Sequence, residues 1–183
     1  RFNFGIKMKK VLQDFFLGIQ YRKHLKLLGQ RKIKHATRIR SVGILLGPDM
    51  EIDTQFIYNI ATELSVPLRN VHVMSLATKV QEDQKVKTKK FFYNQKLLPW
   101  TGRFTVQETH FCETTLDVLI NYFEGPNKLL GLISVKSKAK FRIGFAQADH
   151  RLNDLVFDFD PSEKNLFVLE MKKYLKTMFK IAS

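Results

Sequence analysis

Between Met8 and Leu28 the apolar residues Val11, Leu12, Phe15, Phe16, Ile19, Leu25 and Leu28 recur largely at helical spacing, and Gly29 stands where a helix C-cap is expected. This predicts an amphipathic helix whose apolar stripe docks on the rest of the domain. Its polar face carries Lys9, Lys10, Arg22, Lys23 and Lys26. Farther on, Ser41–Leu46 is a short apolar run closed by Gly47-Pro48-Asp49. Glu51–Leu64 places Ile52, Phe56, Ile57, Ile60, Ala61 and Leu64 at helical spacing, and Val71–Leu76 predicts a second strand. Strand, helix and strand in this order predict a right-handed crossover in a parallel sheet.

Leu116–Phe123 (LDVLINYF) is apolar on both faces, as a buried central strand requires. Asn127–Ala139 predicts a helix, Phe141–Phe145 and Leu155–Phe159 predict strands, and Ser162–Phe179 predicts a last helix with Ser162 as its N-cap. The fold class is α/β, with a mixed or mostly parallel sheet between helices and a basic N-terminal helical extension. Residues 1–40 form that helix and extension. Residues 41–183 form a single α/β domain with a basic insertion at about 77–103.

The length of 183 residues suits one domain plus an extension, and 44% hydrophobic content can bury a core. The single cysteine, Cys112, excludes disulfide scaffolds and multi-cysteine zinc sites. No apolar run is long enough to cross a bilayer, and Gln13 and Asp14 break the Val11–Ile19 stretch that a secretory leader would need. A cytoplasmic location is the expectation.

Charge adds more. Residues 1–40 hold twelve Lys and Arg against one acid, Asp14, and residues 79–103 hold seven against two, within a chain of net charge +14. Two basic regions on a near-neutral body point to a polyanionic partner. In the first region Arg31, Lys32, Lys34, His35, Arg38 and Arg40 fall within a segment without an acid (QRKIKHATRIR), suited to phosphate contact. In the second, Lys87, Lys89, Lys90, Trp100 and Arg103 interleave cations with aromatic rings, and Trp100 is the better candidate for stacking on a base.

The residues argue against catalysis. Leu46-Gly47-Pro48-Asp49-Met50 lacks the glycines and the lysine of phosphate-binding loops. Asp158 and Asp160 project from one face at the end of a strand like paired metal-binding carboxylates, but no supporting acids, lysine or hydroxyl nucleophile accompany them. They are read instead as opening the last helix, together with Pro161 and Ser162. His110, Cys112 and Glu113, read on a strand, form no evident nucleophile and base pair. No catalytic residue, cofactor or metal site is expected.

The stretches Ser137-Lys-Ala-Lys-Phe-Arg-Ile-Gly144, Gln147-Ala-Asp-His-Arg-Leu-Asn-Asp-Leu155 and Leu116-Asp-Val-Leu-Ile-Asn-Tyr122 resemble a small family of basic proteins restricted to Bacteroidota. The chain is also similar to the lineage-specific additional large-subunit ribosomal protein of that group. That resemblance implies a structural constituent of the ribosome that contacts ribosomal RNA and neighbouring ribosomal proteins, with no enzymatic activity, no small-molecule substrate and no membrane partner. Two alternatives remain open on the residues alone. One is an α/β enzyme acting on a phosphorylated substrate around Asp158 and Asp160. The other is a peripheral membrane protein using the N-terminal amphipathic helix.

Overall fold

The structure is a computed structural model that describes residues 2–31, 38–50, 52–76, 89–93 and 101–179. Its centre is a six-stranded sheet built from β1 (Val42–Leu46), β2 (Val71–Leu76), β3 (Lys89–Tyr93), β4 (Thr115–Tyr122), β5 (Lys138–Phe145) and β6 (Leu155–Phe157). The spatial order is β3-β2-β1-β4-β5-β6, and every pairing is parallel. The chain starts in the middle, steps outward to β3, returns to the other side of β1 and steps outward again. The expectation of a mixed or mostly parallel sheet thus resolves as parallel among the described strands.

Two helical layers cover the sheet. On one face lie α2 (Thr54–Glu63) and α5 (Lys164–Phe179), whose Phe56, Ile60, Phe167 and Met171 pack against Ile44, Ile120, Tyr122 and Ile143. On the other lie α1 (Phe2–Gly29), α3 (Val106–Glu113) and α4 (Lys128–Lys136), whose Leu17, Phe111, Leu130 and Ile133 pack against Leu45, Met74 and Leu119. Successive strand residues such as Ile44 and Leu45 therefore enter opposite layers, which is why the central strands are mostly apolar on both faces. Ends are set locally: Asp53 caps α2 by accepting from the Phe56 amide, and Asn127 caps α4 by accepting from Leu129 and Leu130.

Four expectations change. First, Lys89–Tyr93 is an edge strand, so the insertion is not a loop throughout. Second, residues 106–113 form α3, which places His110, Cys112 and Glu113 on a helix rather than a strand. Third, α4 ends at Lys136 and α5 begins at Lys164, so residues 138–139 belong to β5 and Ser162 precedes the last helix. Fourth, α1 does not dock its whole apolar stripe. Leu17 and Leu25 are buried against the body, whereas Met8, Val11, Leu12, Phe15 and Ile19 are exposed. Leu17 and Leu25 lie on one face of α1 and the five exposed residues on the opposite one, and among the described residues only the first face packs on the domain.

Candidate nucleic-acid interface

Because all strands run in one direction, every strand begins at the same edge of the sheet. Arg38 and Arg40 lead into β1, Arg69 leads into β2, Lys89 and Lys90 open β3, and Lys138 and Lys140 open β5. The end of α4 reaches this edge with Lys136, and cations are favoured at a helix C-terminus. The end of α1 arrives there too, since Arg31 donates to the carbonyls of Ala139 and Lys140 at 3.1 and 2.9 Å.

A cleft of about 350 Å³ opens between α1, α3 and α4 near this edge. Gln20, Phe104, Arg103, Lys136 and Lys138 line it, with Glu113 as its acid. The segment after the insertion is drawn under α1. Gln20 donates to the Thr101 carbonyl at 3.3 Å, and Gly102, at φ +67°, takes a left-handed turn that a side chain would strain, with Leu17 against it. This turn brings Arg103 to the helix. The Lys136 ammonium sits 4.5 Å from the centroid of the Phe104 ring. Partial burial, with Lys136 and Lys23 close by, holds the His24 imidazole below its ordinary pKa.

Arg31 has a different role from its neighbours in the basic run. Its guanidinium forms an ion pair with Asp154, in addition to its two carbonyl contacts. It clamps the end of α1 to β5, and its expected phosphate contact is corrected to a structural one. Arg142 lies beneath it, 2% exposed, donating to the carbonyls of Ser134, Ser137 and Ala139 at the end of α4. Burial, together with the nearby Arg31, brings the Arg142 pKa down to about 10. Asp117 accepts from the Arg40 and Ser41 amides and pairs with Lys140 at 2.7 Å. Two acids of this edge, Asp117 and Asp154, are thus neutralised internally.

Among the remaining expected contacts, Lys23 and Lys26 are exposed on the last turns of α1, whereas the exposed Arg22 turns its guanidinium back along the helix, beside Gly18 and toward Lys128 at the start of α4. Arg38 and Arg40 are exposed ahead of β1. Lys9 and Lys10 are exposed more than ten residues earlier on α1 and do not join this group. Lys32, Lys34, His35, Lys87 and Trp100 lie outside the described residues. Lys136 and Lys138 did not emerge from the sequence, because they arise at a helix–strand junction and not in a run of cations.

The opposite edge is acidic. Asp49 and Asp53 follow β1, Glu124 follows β4, Asp149 follows β5, and Asp158 and Asp160 follow β6; of these, Asp149 pairs with Arg151 at 2.7 Å and Asp53 with Lys164 at 3.9 Å, so the excess of acid rests on the other four. The sheet reverses its strand order between β1 and β4, the position where doubly wound sheets commonly bind ligands. A cleft of about 240 Å³ is present there, lined by Gly47, Pro48, Asp49, Met50, Glu124 and Asn127 among others. It is poorly suited to phosphate. The Asn127 side chain already accepts from the first amides of α4, and Asp49 and Glu124 supply like charge. Gly47 is needed for closeness: a Cβ there would come within 2.7 Å of the Phe123 Cβ.

Hydrogen bonds from the Ser162 side chain and, at 2.7 Å, from the Ser162 amide hold the Asp160 carboxyl below its ordinary pKa, which fits its role ahead of α5. Among the described residues, no group of three His, Cys, Asp or Glu could hold a metal ion. Cys112 is a core residue whose thiol burial pushes up to about 12, and it donates to the Ile133 carbonyl. No helix among the described residues is long and apolar enough to cross a membrane.

Comparison with curated proteins finds no match. Comparison with solved structures finds none either. The sequence pattern of one family does match, over residues 13–178, from the docked part of α1 to the end of α5, and the chain belongs to that family of unknown function, DUF6913.

Proposed function

We propose that this protein is a non-catalytic, cytoplasmic RNA-binding protein and, following its resemblance, a structural constituent of the large ribosomal subunit. The observation that carries the reading is the sorting of charge across the sheet. Arg38, Arg40, Arg69, Arg103, Lys136 and Lys138 meet at the edge where the strands begin, beside the basic end of α1, while the acids gather where the strands end. Phosphates are attracted to a surface where cations clearly outnumber acids, as they do in this cleft, where Arg103, Lys136 and Lys138 face the single acid Glu113. Shape supports the same reading, because an open basic cleft beside a ridge of arginines can follow a backbone without reading a base sequence.

An enzyme acting on a phosphorylated substrate would use the strand ends between β1 and β4, where Asp49 and Glu124 repel such a substrate. The test is sedimentation of the tagged full chain with ribosomal subunits through a sucrose gradient at low and at high salt. The reading expects the protein in the large-subunit fraction at low salt and progressive release as salt rises. Protein remaining at the top of the gradient at every salt concentration overturns it.

A further inference from the structure

Among the described residues, nothing packs on the outer face of α1, which is an apolar stripe. Met8, Val11, Leu12, Phe15 and Ile19 are 41–67% exposed, and on a helix their positions fall within a sector of about 100°. The opposite face is the one that docks, through Gln13, Leu17, Tyr21 and Leu25, with Tyr21 packed on Gly131 of α4. Contact with the body begins near Asp14, whose carbonyl is 3.5 Å from the Lys128 ammonium, and residues 7–12 ahead of it are all exposed. Residues 7–12 of α1 therefore stand clear of the described part of the domain, and a contiguous apolar stripe of this kind marks an interaction surface.

Charge decides what fits it. Lys7 and Lys9 flank the stripe on either side, and Arg22 and Lys26 continue the same face toward the end of the helix. The single acid of α1, Asp14, stands beside Lys128 of the body. A second copy of this helix would bring six cations against six. RNA has no aliphatic surface with which to cover Val11 or Leu12. An anionic bilayer satisfies both features, because acyl chains receive the stripe while lipid phosphates meet the lysines that reach outward from its margins.

We propose that the outer face of α1 is a docking surface for an anionic lipid bilayer. The helix lies in the headgroup plane without crossing it, with Met8, Val11, Leu12, Phe15 and Ile19 turned into the acyl boundary. The five apolar residues take no part in the arginine-rich edge of the sheet, so the proposal stands whether or not that edge binds RNA.

The experiment is flotation of the full chain with vesicles of phosphatidylcholine alone and of phosphatidylcholine mixed with phosphatidylglycerol. The chain should float with the mixed vesicles and not with phosphatidylcholine alone. Val11→Asn with Phe15→Asn should weaken that partition by about tenfold or more, since side chains that insert dominate the affinity of such helices. Val11→Phe should strengthen it. Circular dichroism should be unchanged in both variants, because neither site is part of the core. Absence of flotation with mixed vesicles overturns the proposal. So does equal flotation of the double Asn variant, which would leave binding to charge alone, and so does a stripe-dependent dimer in light scattering that excludes vesicles.

Discussion

Tyr21 lies across Gly131 so closely that a Cβ on the glycine would come within 2.8 Å of the tyrosine ring. The phenol then reaches on to the Asp149 carboxylate at 2.6 Å. One side chain thus fixes both the separation of α1 from α4 and its rotation about its own axis. Burial, and hydrogen bonding to Asp149, push the Tyr21 pKa well above the ordinary tyrosine range, so the phenol remains a donor at any working pH.

Gly131→Ala should therefore force α1 away from α4. Overpacking of this kind costs on the order of 1–3 kcal/mol. Chemical denaturation is expected to show that loss, and Tyr21→Leu in the same chain should recover part of it. An unchanged midpoint for Gly131→Ala would mean that the two helices are not held at this distance.

Arg31→Gln should behave as a core defect. It removes the ion-pair partner of Asp154, which keeps the Arg142 amide, and takes away the Lys140 carbonyl's side-chain donor and one of the two that Ala139 has, at a cost of about 1–3 kcal/mol. Lys138→Gln removes the same charge from an exposed site and should leave the denaturation midpoint unchanged. If both variants lower stability equally, the clamp assigned to Arg31 is wrong.

Neutralising Arg103, Lys136 and Lys138 together should flatten the dependence of log RNA affinity on log salt by about two to three units, at roughly 0.7–0.9 for each phosphate no longer neutralised. Asp158→Asn with Asp160→Asn should leave that slope and the affinity unchanged. A slope untouched by the triple substitution would show these cations to be a solvated face.

Burial alone would raise the Asp117 pKa, but Lys140, the Arg40 amide and the Ser41 amide outweigh it and hold it below the ordinary value. A carboxylate stabilised in the fold contributes at neutral pH. That contribution declines as the pH falls through the range between its unfolded and folded pKa values. Asp117→Asn should lower stability at neutral pH and shrink the loss seen on acidification, as equilibrium unfolding across acid pH would show.

The sequence is most legible where one period dominates. Val71–Leu76 is a strand with the bounds that its apolar run predicts, and the helix read from Phe56, Ile57, Ile60 and Ala61 forms where its spacing places it. β3 escapes such a reading because an edge strand needs few apolar residues, and KKFFY sits within a polar stretch. The docking of α1 escapes it because spacing alone does not separate two narrow apolar faces from one broad one. The site is legible only as an excess of charge. Counting cations makes Arg31 and Arg38 equivalent, and the difference lies with Asp154, 123 residues beyond Arg31 along the chain. Lys136 and Lys138 become functional candidates only once β5 lies beside β4.

A sheet whose strands all point the same way gives the molecule two electrically different ends. Among the described residues, Arg38, Arg40, Arg69, Lys136 and Lys138 stand where strands begin and Asp49, Glu124 and Asp158 where strands finish, which is the charge separation of a dipole along the strand direction. In the field of a long polyanion such a body feels a torque before it makes any contact, and it arrives with its basic end already turned forward. Orientation, which ordinarily limits how fast two specific patches meet, is then supplied in part by the fold. Low salt should accordingly speed association more than it slows release, and the gain should vanish once the screening length falls below the breadth of the sheet.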